Sequence, residues 1–342
     1  MMNVAKQLTK DVRGRNVEFA STVNPPQSAT VDFRPAALLA AWDRFWFAPS
    51  MPHTLAAMRI LTGLMLFYTH FVLALDLQAF LGQNAWVNTS TALLLNTDVS
   101  GARWAFSYLY YIQSPAILWT AHVAALVALA MFTAGLFTRV TSVLSFIITL
   151  SYCHRLSGAL FGLDQINLFL VMYLMLAPCG SLWSLDRWIA SRRGIAPPLA
   201  ASSGVTVATR LLQLHLCIMY LFGGIDKARG ESWWDGSAVW FAIANLEYQS
   251  LDLTWLVHQP WLVALLTHVT LFWEVFYPVL IWPRLTRPIF LAMAVAVHGG
   301  IALALGMTTF GLAMIIANLV FVTPELTARL VSGVFRALRL PK

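Results

Sequence analysis

Charge is what this chain has least of. Asp, Glu, Lys and Arg make up 11% of its 342 residues, where a soluble globular domain carries about 25%. That shortage excludes an ordinary water-soluble enzyme. Cysteine is scarce too. Cys153, Cys179 and Cys217 are odd in number and show no CxxC spacing, so neither a disulfide framework nor a zinc site is indicated. No HExxH, GxSxG, P-loop or GxGxxG occurs, which leaves metal, acyl-serine, nucleotide and Rossmann chemistry without support. The net charge of +7 falls in short clusters between apolar runs. With no basic groove or aromatic platform, it does not point to nucleic acid.

Long apolar stretches fill the space. Hydrophobic residues reach 59% of the chain, and a membrane-crossing helix needs about 20 of them in a row. Candidate spans lie at 54–80, 114–136, 138–156, 165–180, 204–226, 256–282, 286–306 and 309–328. The expected fold class is all-α, a polytopic integral membrane helical bundle of about eight transmembrane helices surrounded by lipid. With the N-terminus inside, only Arg103, Arg155, Lys227 and Arg229 of the 22 Lys and Arg fall outside. This positive-inside asymmetry puts both termini in the cytoplasm. Residues 1–33 read as a disordered cytoplasmic tail, 34–50 as an amphipathic interfacial helix, and 331–342 as a basic cytoplasmic tail. No signal-peptide pattern opens the sequence, and a bacterial cytoplasmic membrane is the expected location. Two longer outer connections, 81–113 and 227–255, are rich in Trp, Tyr and Asn and could cap the outer face.

Ionisable groups within a membrane are costly, so each needs a partner or a purpose. By this topology Asp76, His122, His154, Arg155, Asp164, Lys227 and His298 all fall in the outer half or near the midplane. Their common depth predicts a polar cavity open to the outer face. Arg155 and Asp164 flank a short outer loop and could equally pair with each other. In the inner half, Glu274 is expected to brace Arg59 or Arg210 as a structural ion pair. Lys227 ends an apolar run in the segment 220–236, YLFGGIDKARGESWWDG. A desolvated amine there can serve as a base, or it can snorkel to headgroups. Asp226 could pair with it, and Trp233 and Trp234 would line the same cavity.

The stretch GLFTRVTSVLSFIITLSYCHRLSGALFGLDQ (135–165), followed by LAPCGSLWSLDRW (176–188), resembles the HTTM family. These bacterial membrane proteins are similar to the transmembrane part of vitamin K-dependent γ-glutamyl carboxylase. The segment 220–236 resembles the carboxylase motif in which Tyr-Phe-x-Ala-Gly precedes a catalytic lysine and a downstream Trp-x-x-Gly. VHGGIALALGMTTFGLAMIIANLVF (297–321) resembles its histidine-containing segment. Residues 51–330 would then form one HTTM-like transmembrane domain.

The resemblance implies that Lys227 deprotonates a reduced quinone of the vitamin K or menaquinol kind, with His154 and His298 lining the same site. The implied chemistry continues with oxygen-driven formation of a strong base, removal of an unactivated hydrogen and addition of carbon dioxide. An imidazole could orient the carbon dioxide or the oxyanion, in a site kept poor in water. The sequence departs from the motif at Asp226, Ala228 and Gly223. It also carries no counterpart of the carboxylase's large lumenal domain, which turns the expected substrate toward a small molecule or a secreted peptide. Some relatives, similar to the sporulation-delaying protein B group, help mature secreted peptides, so a non-catalytic maturation or assembly factor is the alternative. A transporter is the third reading, disfavoured because Pro178, Pro278, Pro283 and Pro288 sit near helix ends and no inverted repeat is evident.

Overall fold

A computed structural model describes residues 34–96 and 105–337. The expected tail at 1–33, Arg103 and the last five residues lie outside the described residues. Two units result, 1–42 and 43–342. The first is described only where it opens helix α1 (Pro35–Phe47). The second is all helix, with no named strand among the described residues.

Its long helices are α2 (His53–Leu73), α5 (Pro115–Ala134), α6 (Thr138–Arg155), α7 (Gly162–Leu176), α9 (Ser203–Ala228), α12 (Pro260–Leu280), α13 (Arg287–Ala304) and α14 (Thr308–Asn318). Shorter helices fill the connections: α3 (Leu77–Leu81), α4 (Thr89–Leu94), α8 (Leu185–Arg192), α10 (Glu231–Trp234) and α11 (Ala238–Ile243). Helix α15 (Pro324–Ala337) closes the described chain and takes in the first residues of the expected basic tail. α2 packs on α5, α7 and α14; α6 lies between α5 and α7; α9 lies along α12 and also touches α7.

Local chemistry sets the boundaries. Pro115 and Pro260 stand at first helical positions, where a missing N–H costs nothing. Gly135 ends α5 at φ 72°, and a Cβ there would stand 2.5 Å from Ser184 Cβ. Asp186 then caps α6 from across the turn, accepting from the backbone N–H of Phe137 and of Thr138, each at 2.8 Å.

Five segments are long and apolar enough to cross a membrane: His53–Leu81, Pro115–Ala134, Ser203–Ala228, Pro260–Leu280 and Arg287–Ala304. Gly162–Leu176 and Thr308–Phe321 are apolar but short. Helix α6 is long but polar on its buried side, where Thr141, Ser142, Ser145, Thr149 and Ser151 face inward. The last expected span, 309–328, needs correction. The helix gives way after Phe321 and a new one starts at Pro324, because proline has no N–H and disfavours helix in the residue before it.

Candidate functional site

Lys227 is the penultimate residue of α9, on the face it shares with Gly223, Gly224 and Tyr220. A Cβ on Gly224 would lie 2.9 Å from Val275 N. The bare glycine therefore lets the two backbones come together. This close approach brings Glu274 of α12 against Lys227, with Oε2 2.7 Å from Nζ. The lysine side chain is 30% exposed and the glutamate 10%. The turn at Gly230 folds α10 back, so Lys227 Nζ stands 5.5 Å from the Trp233 ring centroid. Trp234 is itself exposed, and its indole N–H donates to Ala228 O at 2.7 Å.

A neutral network runs behind the pair. Tyr277 donates to Asn318 Oδ1 at 2.6 Å, and Asn318 Nδ2 donates to the Tyr220 hydroxyl at 2.8 Å. The Tyr220 hydroxyl lies 2.7 Å from His298 Nε2. Having accepted from Asn318, it donates to Nε2, which places the His298 proton on Nδ1. That N–H is buried without a partner.

One expected ion pair needs correction, and one alternative pairing is not formed. Glu274 braces neither Arg59 nor Arg210. Arg59 is fully buried and donates to the carbonyls of Cys179, at 3.0 Å, and Trp183, in the turn after α7. Arg210 donates to Phe45 O at 3.0 Å and to Gln213 Oε1 at 2.8 Å, and stacks over the Phe45 ring. Backbone carbonyls accept the N–H groups that a carboxylate was expected to receive, and Glu274 faces the end of α9 instead. Arg155 and Asp164 do not pair either. Arg155 donates from Nη1 to Val87 O at 2.9 Å, and Asp164 accepts the Phe161 N–H at 2.8 Å to cap α7. Asp226 is exposed while Lys227 is bonded to Glu274.

His154 and His122 both lie apart from Lys227, each with its own partners. His154, at the end of α6, bonds Phe106 O through Nδ1 at 2.7 Å. Among the described residues no hydrogen bond, ion pair or ring contact joins it to Lys227 or His298. His122 is buried and lies 2.7 Å from the Tyr152 hydroxyl and 3.1 Å from His70 O. A cavity of about 180 Å³ adjoins this cluster, lined by His70, Tyr152, Asp164 and Asn167 among others. Lys227 does not line it. Among the described residues no group of His, Cys, Asp and Glu is arranged to hold a metal.

Reading by charge passed over Tyr220, Tyr277, Asn318, Tyr152 and Asn167. For Tyr220 a signal existed, since it precedes Lys227 by two helical turns on the same face. The partners on other helices left none.

An all-helical bundle of long apolar segments with an interhelical ion pair and neutral polar networks defines a multi-pass membrane protein. The HTTM domain model matches residues 47–326, and the chain belongs to the HTTM domain family. No curated protein and no solved structure matches the chain.

Proposed function

We propose that this protein is a quinol-coupled, carboxylase-like membrane enzyme in which Lys227 and Glu274 act together as the base. The observation that carries the reading is their 2.7 Å contact, at the position where the resemblance to the carboxylase puts its catalytic lysine. In this reading the pair starts one proton short. Lys227 Nζ would take the proton of a bound quinol O–H, and Glu274 would hold the resulting ammonium as an ion pair. The unpartnered Nδ1–H of His298 suits a ligand oxygen carrying developing negative charge. The Lys227 amine and the His298 N–H are the groups through which this reading would hold a quinol headgroup. Such a group, once deprotonated, supplies through reaction with oxygen a base strong enough to take an unactivated hydrogen, after which carbon dioxide adds. His154 belongs to this site only through the resemblance.

The topology that goes with it has eight crossings, both termini inside and the Lys227 end outward, in a bacterial plasma membrane. The substrate is a small molecule or a secreted peptide.

A second reading rests on the same contact. An ammonium–carboxylate pair between two helices is also what a structural brace looks like, and would suit a non-catalytic maturation factor. Lys227→Arg separates the two, because arginine keeps the ion pair and cannot act as a base. The enzyme reading expects wild-type thermal stability with turnover or cellular function reduced at least 100-fold. Wild-type function in Lys227→Arg would leave the brace standing. Mass spectrometry of co-purified small molecules, wild type beside Lys227→Ala, checks the quinone: enrichment is expected with the wild type alone.

A further inference from the structure

The second polar cluster is separate from the Lys227 pair, and its hydrogen bonds fix every proton in it. His70 Nδ1 lies 2.8 Å from Leu66 O. A carbonyl only accepts, so Nδ1 carries the proton and Nε2 presents a lone pair. His122 Nε2 lies 3.1 Å from the His70 carbonyl and must likewise be the donor, which leaves His122 Nδ1 to accept from the Tyr152 hydroxyl at 2.7 Å.

Donors on the cavity wall are thereby used up. Thr69 donates to Leu66 O at 3.0 Å, Thr149 to Ser145 O at 2.8 Å, and Tyr152 to His122. The acceptors are not. His70 Nε2 and Asn167 Oδ1 are buried with no partner, on residues that are 6% and 2% exposed. Asp164 lines the same cavity, and among the described residues no cation pairs with it. The remaining wall is apolar or aromatic, including Leu66, Leu73 and Phe80. Apart from the Asn167 amide, this is a site of acceptors and one carboxylate, bounded by hydrocarbon.

We propose that the cavity between α2, α6 and α7 binds a primary ammonium carried on a small apolar body, with Asp164, His70 and Asn167 receiving its three N–H groups. An ammonium has three donors and no acceptor, which matches the wall. Aromatic faces such as Phe80 and Tyr152 favour a cation further. Size limits the body. A cavity of roughly 150 Å³ takes one benzene ring, so about 180 Å³ admits a ring with one or two further atoms. Water alone would satisfy the acceptors but leave the apolar wall wet.

The test uses the full chain in detergent, titrated calorimetrically with benzylamine, benzyl alcohol and toluene. Saturable one-to-one binding of benzylamine is expected, at least tenfold tighter than benzyl alcohol, with toluene weakest. Asp164→Asn retains an oxygen for the Phe161 N–H and so keeps the cap; it should weaken benzylamine at least tenfold and leave benzyl alcohol unchanged. Asn167→Leu removes an acceptor one turn further along α7, away from the cap, and should weaken benzylamine even if Asp164→Asn does not fold. Equal affinity for amine and alcohol, no saturable amine binding, or folded variants that bind benzylamine as the wild type does, would each overturn the proposal.

Discussion

Two buried histidines in this bundle are left in opposite states. His298 accepts from Tyr220 and keeps an unpartnered donor; His70 donates to Leu66 and keeps an unpartnered acceptor. Their surroundings follow the same division. The His298 region is crossed by an ion pair, Lys227 with Glu274, whereas the His70 region holds a lone carboxylate, Asp164, and a chain of neutral groups. A membrane interior tolerates polar groups by pairing charges or by chaining neutral hydrogen bonds; this molecule uses both in the half beside His298 and only the neutral chain in the half beside His70. The halves are then suited to opposite ligands, an oxygen bearing negative charge in one and an ammonium in the other.

The largest effect should come from breaking the charged half. Glu274→Leu alone leaves an ammonium facing hydrocarbon, and Lys227→Met alone leaves a carboxylate. Removing one partner of a buried pair costs about 3–5 kcal/mol. With Lys227 30% exposed, about 3 kcal/mol is the expected loss in a denaturant titration of the detergent-solubilised protein. The double variant should recover most of it, because two apolar side chains leave nothing unpaired. Additive losses would show that the two side chains are not coupled.

Breaking the neutral half should cost less. Tyr152→Phe leaves His122 Nδ1 without a donor. One neutral buried group left unsatisfied costs about 1–3 kcal/mol, and water from the adjoining cavity can relieve part of it. The expected loss is about 1 kcal/mol, with little further loss on adding His122→Phe. A loss as large as that in Glu274→Leu would erase the contrast between the halves.

The two halves were unequally legible in the sequence. The apolar runs could be read directly and helices formed on them, because hydrophobic length is written locally, although the last breaks after Phe321 ahead of Pro324. Lys227 could be found because it ends an apolar run on the sparsely charged outer side and matches the lysine of the carboxylase motif, and the paired glycines before it mark a close helix approach once the partner is known. Its partner could not be found. Glu274 was placed beside the arginines on depth, and depth cannot say which face of α12 meets which neighbour. Arg59 shows why charge counting fails here: the carbonyls of the turn after α7 satisfy it, and any residue type supplies a carbonyl. The His70–His122–Tyr152 chain was invisible for a related reason. It joins three helices through atoms whose roles are settled only by their partners.

The smallest effect supplies the exposed reference for both halves. Asp235, in the turn after α10, is fully exposed and accepts from the hydroxyl and the backbone N–H of Ser237 at 2.6 and 2.8 Å. These bonds hold its carboxyl below the ordinary 3.8. A carboxyl depressed on folding adds stability that is present above its unfolded pKa and is lost as pH falls through the folded one. Wild type should therefore exceed Asp235→Ala slightly near neutral pH, and the gap should close as pH falls below the ordinary carboxylate range. Water competes for both bonds, so a shift of a degree or so in thermal midpoint is the scale to expect. A gap that persisted unchanged to low pH would mean that the substitution acts through the turn's backbone rather than through the lost carboxylate. A gap as large as that in Glu274→Leu would mean that burial is not what separates strong from weak charges in this protein.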